Sequence, residues 1–249
     1  MQLVDLHCHI LPGIDDGAKN IEMSMQLLEQ ELNSDVVGIC FTPHFYYERT
    51  TIEEFITNRR KAFSTLVEPI KQNKIQLALK TGAEVYFTPA LPSLDLRKLA
   101  FYGTNYILIE LPTSFHPSGI EDVLFEVQQQ GFTPIIAHVE RYPYVTENPT
   151  LLYNWVSSGA LAQINASGLI RGGHTAKLLQ KYIDWKLVHL LCTDAHHPEK
   201  RPAHLMDGFE KLSPRVQKRF QKNSVRVFLG KDIELEDPIL PRYRFGHWN

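Results

Sequence analysis

Histidines and carboxylates in this chain recur just after short apolar runs. Asp5-Leu6-His7-Cys8-His9, Thr42-Pro43-His44 and Thr193-Asp194-Ala195-His196 each have this form. Side chains alternate along a strand with period two, so His7 and His9 share a face and can reach one ion. Asp194 and His196 repeat that spacing, and Glu84, Glu110 and His138 close three further apolar runs. Imidazoles mixed with carboxylates suit manganese, iron or zinc better than the all-oxygen shells preferred by magnesium or calcium. Burying so many ionisable groups together without a cation would be costly, which argues for a metal cluster over a polar core.

The elements that must position these groups read as an α/β chain. Seven β-like runs alternate with helical or loop segments: Leu3 to His7, Val36 to Thr42, Ile75 to Glu84, Asn105 to Glu110, Thr133 to His138, Leu161 to Asn165 and Leu187 to Thr193. Such alternation argues for a parallel sheet, and near-continuous apolar runs argue for strands covered on both faces. In α/β barrels the reactive groups sit at the C-terminal strand ends. Six of the seven ends here carry candidate ligands, and the sixth strand ends in Asn165, which is suited to orienting a neighbour or water. Ile21, Met25, Leu28 and Leu32 mark a helix, as do Phe55, Arg59, Phe63 and Leu66.

At 249 residues and 43% hydrophobic content, the chain can fill a full core, and one domain is expected. A formal charge of −2 gives no basic field for nucleic acid, so no such partner is expected. No apolar run is long enough to span a bilayer and the N-terminus lacks a signal-peptide pattern, so the expected location is cytoplasmic, without membrane insertion. Cys8, Cys40 and Cys192 read as reduced, buried thiols. Cysteine-dependent phosphatases place an arginine six residues beyond the nucleophile, where this chain has Ile14, Tyr46 and Pro198. Two other arginines follow ligand-bearing strands, Arg141 and Arg201. Their forks match phosphate oxygens and suggest a phosphoester substrate, the alternative being surface ion pairs. The basic stretch from Lys211 to Arg226 reads as a solvated helix face or a dock for an acidic partner. The segment after Asp237 has no periodicity and suits a packed strap, a self-association element that would make a homo-oligomer, or disorder.

Taken together, DLHCHILPGIDDG, TPHFY, GAEVYFTP, YILIELP, TPIIAHVERY and CTDAHHPEKRP resemble, in order from Asp5 to Pro202, the polymerase and histidinol phosphatase (PHP) superfamily. Within it the resemblance is to the bacterial protein-tyrosine phosphatases of capsule and exopolysaccharide loci. It implies a distorted seven-stranded (β/α)7 TIM-like barrel over residues 1–230, with 231–249 as a C-terminal extension of unknown role. It also implies three divalent ions, with Mn²⁺ preferred and Fe or Zn as alternatives. Position by position, His7, His9, Glu84 and Asp194 would hold one ion, and Glu84 would bridge to a second held by Glu110 and His138. Asp16, His44 and His196 would hold the third, with Asp15 as an alternative carboxylate. Arg141 and Arg201 would engage the phosphoryl group.

The implied activity is hydrolysis of phosphotyrosine by attack of a metal-bridging hydroxide. The implied partner is a tyrosine-phosphorylated protein, a bacterial tyrosine kinase tail controlling capsule synthesis. Phosphotyrosine suits a site without an obvious general acid, because a phenol, with a pKa of about 10, departs readily. Phe45, Tyr46, Tyr86 and Tyr142 either flank the substrate ring or pack in the core. The competing readings are a small-molecule phosphatase of the histidinol-phosphatase type and a non-catalytic metal-binding regulator. An amidohydrolase barrel also begins with HxH, but commonly has a lysine where this chain has Glu110.

Overall fold

The computed structural model describes residues 2–244 and 246–248. Strand β1 (Leu3–Cys8) is buried along its whole length. Helix α1 (Ile21–Asn33) is capped by Asn20, whose side chain accepts from the Met23 N–H at 2.9 Å. Thr42-Pro43 separates β2 (Val36–Phe41) from the two-residue β3 (His44–Phe45), since proline has no N–H to give to a sheet. Helix α2 (Ile52–Gln72) follows, and then Gly82-Ala83 divides β4 (Ala78–Thr81) from β5 (Glu84–Tyr86). Space demands glycine at this break, where a Cβ would lie 2.6 Å from Phe101 Cδ1. The buried Arg59 of α2 braces the same turn by donating to the Gly82 carbonyl at 2.5 Å.

After α3 (Leu96–Leu99) the chain alternates more regularly. It forms β6 (Tyr106–Glu110), α4 (Ile120–Gln129), β7 (Thr133–Ile136), α5 (Pro143–Glu147), α6 (Thr150–Ser157), β8 (Leu161–Asn165), α7 (Ala166–Ile170), α8 (Gly173–Asp184) and β9 (Leu190–Cys192). Two helices, α9 (Leu205–Phe209) and α10 (Pro214–Phe228), and a hairpin of β10 (Tyr243–Arg244) and β11 (His247–Trp248) complete it.

All pairings from β1 to β9 are parallel. One sheet has the order β1-β2-β4 and the other β3-β5-β6-β7-β8-β9. Because β2 leads into β3 and β4 into β5, the two sheets are consecutive stretches of one curled parallel half-barrel in an α/β domain. Its first and last strands are tied where they meet. Asp194 N donates to the His7 carbonyl and His9 N to the Ala195 carbonyl, each at 2.8 Å. Asp5 adds a side-chain clasp, accepting from Thr193 N at 3.1 Å and Thr193 Oγ1 at 2.5 Å. The expected second strand is therefore found as β2, with His44 carried beyond it on the separate β3, while the expected third strand is broken at Gly82-Ala83.

Two apolar clusters line the sheet. One gathers Val4, Leu6, Cys40, Leu108, Ile135, Leu161, Leu190 and Cys192 with Val227 and Phe228 of α10, and the other joins the remaining strand faces to the helices. Leu6 belongs to the first and Cys8 to the second. The register shift between Asp5 and Cys8 accounts for that change of parity and turns His7 to the inner side, as a bulge does.

Three cations of α10 meet the chain's own acidic segment: Arg215 and Arg219 pair with Glu236, and Lys222 with Glu234 at 2.8 Å. Beyond α10 the chain lies down as a strap. Ile239 N donates to the Trp185 carbonyl at 2.8 Å and Trp248 Nε1 to the Glu147 carbonyl at 2.9 Å. Phe245 and Asn249, within the expected extension, lie outside the described residues. No helix among the described residues is long and apolar enough to cross a membrane.

Candidate metal centre

The strand ends converge. His7, His9, Asp16, His44, Glu84, Glu110, His138, Asp194 and His196 form four overlapping groups, each with ligand atoms within 4.8 Å of one another. The groups are His9-Asp16-His44-His196, His7-His138-Asp194, His7-His9-Glu84 and His44-Glu84-Glu110. Every residue expected from the sequence as a ligand is present.

Glu84 is the hub. Its Oε1 lies 2.9 Å from His138 Nε2 and 3.3 Å from His7 Nε2, and its Oε2 lies 3.0 Å from His44 Nδ1 and 3.2 Å from His9 Nε2. Glu110 stands farther out, 3.6 Å from His44 and 3.7 Å from His138. Asp16 reaches in from an exposed position to lie 3.3 Å from His44 Nε2 and 3.4 Å from His196 Nε2. Asp15 is occupied differently: it sits 2.8 Å from His9 Nδ1 and accepts from the backbone N–H groups of His44 and Gly17. The resemblance favoured Asp16, with Asp15 as an alternative; here Asp16 lies among the candidate donors and Asp15 sits against His9. Gly17 permits this loop, since a Cβ there would lie 2.1 Å from the His9 carbonyl oxygen.

Two ligand-bearing strand ends hold non-glycine residues at positive φ, His138 at 27° and Asp194 at 54°. Conformations of this kind cost about 1–3 kcal/mol and persist only where surrounding contacts enforce them. For Asp194 the enforcing contact is its N–H to the His7 carbonyl. For His138 it is its N–H to Gln163 Oε1, at 2.8 Å.

Gln163 is the residue that sequence reading missed. Its Oε1 also lies 3.1 Å from His7 Nδ1, and its Nε2 donates to Asn165 Oδ1 at 2.7 Å. Asn165 Nδ2 in turn donates to Asp194 Oδ2 at 2.7 Å. With Gln163 accepting at Nδ1, His7 presents the lone pair of Nε2 to the cluster. The available signal was a polar side chain sharing the parity of Asn165 in an otherwise apolar strand. Tyr142, entered at sequence level as a wall residue or core residue, is fully buried, and its hydroxyl accepts from Leu111 N, fixing the chain just after Glu110.

The buried imidazoles and carboxylates perturb one another strongly. Burial would depress His7, yet the Glu84 and Asp194 carboxylates carry it up to about 9. Burial likewise opposes a raised His44, but bonds to Asp16 and Glu84 take it to about 11. Glu84 is driven up by burial and held well below the carboxylate range by His7, His138 and His44. Burial and the Glu84 charge push Glu110 up, and burial and His9 push His196 down.

The donor set fits divalent metal. Glu84 Oε2, Glu110 Oε2, Asp194 Oδ1, His44 Nδ1, His138 Nδ1 and His196 Nε2 are buried polar atoms that make no well-formed hydrogen bond, meeting other cup residues at most as ion pairs. Buried polar atoms are normally paired, so this concentration of unpaired lone-pair atoms in one cup is best explained by ion ligation. Cations binding there would displace the imidazolium protons. Above the cup, Arg141 Nη1 and Arg201 Nη2 lie 3.5 and 2.5 Å from Asp194 Oδ2, and both side chains remain partly exposed. The three thiols take no part in this chemistry: all are buried, and burial pushes each up. His189 and His197 are not in these groups.

A sequence profile for capsular polysaccharide synthesis proteins of the CpsB/CapC type matches residues 3–232. CapC of Staphylococcus aureus is 34% identical over 212 residues, 83% of this chain and 82% of that protein. The tyrosine-protein phosphatase YwqE of Bacillus subtilis is 31% identical over 211 residues, with 83% and 82% covered. A crystal structure from work on YwqE and Streptococcus pneumoniae CpsB, described as metal-dependent tyrosine phosphatases, superposes with a TM-score of 0.89 at 27% identity, covering 97% of this chain and 100% of that one. An amidohydrolase from Bifidobacterium longum shares the fold alone, at 14% identity and a TM-score of 0.51. With its strand-end ligands in the order of those signatures and a profile match over nearly its whole length, the chain belongs to the CpsB/CapC family of capsular polysaccharide synthesis proteins.

Proposed function

We propose that this protein is a metal-dependent protein-tyrosine phosphatase, a phosphoric monoester hydrolase acting on a phosphoprotein of capsule or exopolysaccharide synthesis. The observation that carries the reading is a crowded cup of imidazole and carboxylate donors with two guanidinium forks at its rim. Relatives named as tyrosine-protein phosphatases support the same choice. We read the fold as a seven-stave barrel, β2 with β3 and β4 with β5 each counting as one stave, and residues 231–249 as an extension strapped to it.

His7, His9, Asp16, His44, Glu84, Glu110, His138, Asp194 and His196 would hold three divalent ions, manganese first, with iron or zinc as alternatives. Bound there, such ions acidify water and neutralise phosphate charge. Gln163 sets the His7 tautomer, and Asp15 holds the His9 ring through Nδ1. Arg141 and Arg201 share one Asp194 oxygen, and both line the cleft with their side chains partly exposed. From there they bind the non-bridging oxygens of the phosphoryl group. Tyr46 and Tyr86, with ring centroids 5.3 Å apart beside His44, form a wall for the departing phenol. That phenol, with a pKa of about 10, leaves without a dedicated acid. We take the substrate to be the tail of a bacterial tyrosine kinase and the location to be the cytoplasm.

Release of inorganic phosphate from a phosphotyrosyl peptide tests this reading, with p-nitrophenyl phosphate and histidinol phosphate as comparisons. Turnover of the peptide abolished by chelation and restored by Mn²⁺ is the expected result. Fast turnover of histidinol phosphate alone would reassign the substrate, and binding without turnover would make the protein a regulator.

A further inference from the structure

One approach to the metal cup is a cleft of about 420 Å³ whose inner end is lined by Arg141, Asn165, Asp194 and Arg201. Its outer end is formed by two residues with no part in the site, Arg171 just beyond α7 and Lys200 in the loop after β9. The volume lies within the range of binding pockets.

The charges in this cleft are unbalanced. Arg141 and Arg201 are both directed at Asp194, itself 2% exposed. Glu140 also lines the cleft, partly buried with its Oε1 accepting from Asn165 N at 2.8 Å, so that two carboxylates, Glu140 and Asp194, face the four cations Arg141, Arg171, Lys200 and Arg201. Arg171 and Lys200 are exposed and form no ion pair with any described residue. Arg171 is nonetheless anchored, because its Nε donates to the Ser167 carbonyl at 3.2 Å. The loop carrying Lys200 is anchored too, its N–H and that of Glu199 both facing His197 Nδ1. By contrast, a second cleft beside the cup, lined by Asp15, Asp16, Arg49 and Glu54, has more carboxylates than cations. In a chain of net charge −2, the cationic cleft is a local feature.

We propose that Arg171 and Lys200 are specificity determinants that receive acidic side chains flanking the phosphotyrosine of a polypeptide substrate. The inference rests on the phosphatase reading above and adds to it the chemistry of the substrate's neighbouring residues. Exposed cations next to a reacting site raise the local concentration of a ligand of opposite sign and are screened by salt. The contribution therefore enters through KM, leaving the chemical step to the groups at the inner end.

The test compares two phosphotyrosyl peptides of equal length, one flanked by Asp and Glu and one by Asn and Gln, on Mn²⁺-loaded protein. Wild type should favour the acidic peptide in kcat/KM by roughly threefold to tenfold, the sum of two exposed ion pairs. That preference should shrink as salt is raised. The double variant Arg171→Glu, Lys200→Glu should lose or reverse it through KM, with p-nitrophenyl phosphate hydrolysis unchanged. Equal kcat/KM for the two peptides in wild type, or a preference that survives in the double variant, overturns the proposal and leaves the phosphatase reading intact. A wild type that hydrolyses none of the three compounds overturns the phosphatase reading and this proposal with it.

Discussion

Replacing Gln163 by leucine removes an acceptor used by two buried groups, the His138 N–H at 2.8 Å and the His7 ring nitrogen at 3.1 Å. Leucine is close enough in volume that no large cavity opens, so the cost is that of stranded donors. A buried donor left unpaired costs about 1–3 kcal/mol, which places the loss for the pair at roughly 2–6 kcal/mol. Part of that loss falls on His138, whose φ of 27° depends on its N–H being held. The His7 ring, free to turn, would also present the wrong tautomer, and partners that orient a ligand are typically worth 10–100-fold in metal affinity. Urea unfolding of the metal-free protein should report the first effect and calorimetric titration with Mn²⁺ the second. A variant with wild-type stability and wild-type Mn²⁺ affinity would refute the claim that Gln163 holds both ligands. Lost stability with unchanged affinity would leave it a purely structural residue.

Arg201→Ala should lower kcat/KM for a phosphotyrosyl peptide by about 10²–10³-fold with metal content unchanged, the usual effect of deleting one charged donor from a reacting site. His7→Ala and Asp16→Ala should each lower the number of ions bound, read by elemental analysis, and Asp15→Ala should bind the same number more weakly because it loosens His9. His189 gives a stability prediction independent of the metal. Burial, with Arg219 nearby, lowers it to about 3, and its Nδ1 accepts from the Ala162 N–H at 3.0 Å, a bond that only the neutral ring can make. Between that value and an unfolded pKa of about 6.5, the unfolded chain binds the extra proton, so stability is full above pH 6.5 and falls as pH drops. The His189 contribution at pH 5 is a loss of about 2 kcal/mol. His189→Gln should flatten that slope in urea melts taken from pH 7.5 to 5, and an unchanged slope would assign it elsewhere.

Strand alternation and strand-end placement were enough to single out most of the imidazoles and carboxylates that the fold gathers in one cup, while Asp16 came from the family resemblance. The details that eluded sequence reading depend on the fold closing. Nothing in Asp5-Leu6-His7-Cys8 marks the register shift that moves Leu6 and Cys8 into different clusters. The break between β4 and β5 had a visible cause in Gly82, but a lone glycine inside a strand pattern is also compatible with an unbroken strand. Asp15 and Asp16 are chemically identical neighbours, and only the turn at Gly17 decides which one faces His9 and which His44 and His196. Gln163 and Asn165 gain meaning only when β8 is set between the strands bearing His138 and Asp194. The basic face of α10 is largely solvated as read, but its pairing with Glu234 and Glu236 was not legible because they lie in a segment without periodicity.

The central claim is that divalent ions held by this cup power phosphotyrosine hydrolysis. Its most direct test is to strip the protein with chelator, titrate Mn²⁺ back, and follow both bound metal and phosphate release from a phosphotyrosyl peptide in the same samples. The account predicts negligible turnover in the stripped protein and activity rising with ions bound until the cup is full. Full turnover by metal-free protein, or saturation with metal and no phosphate release, would contradict it.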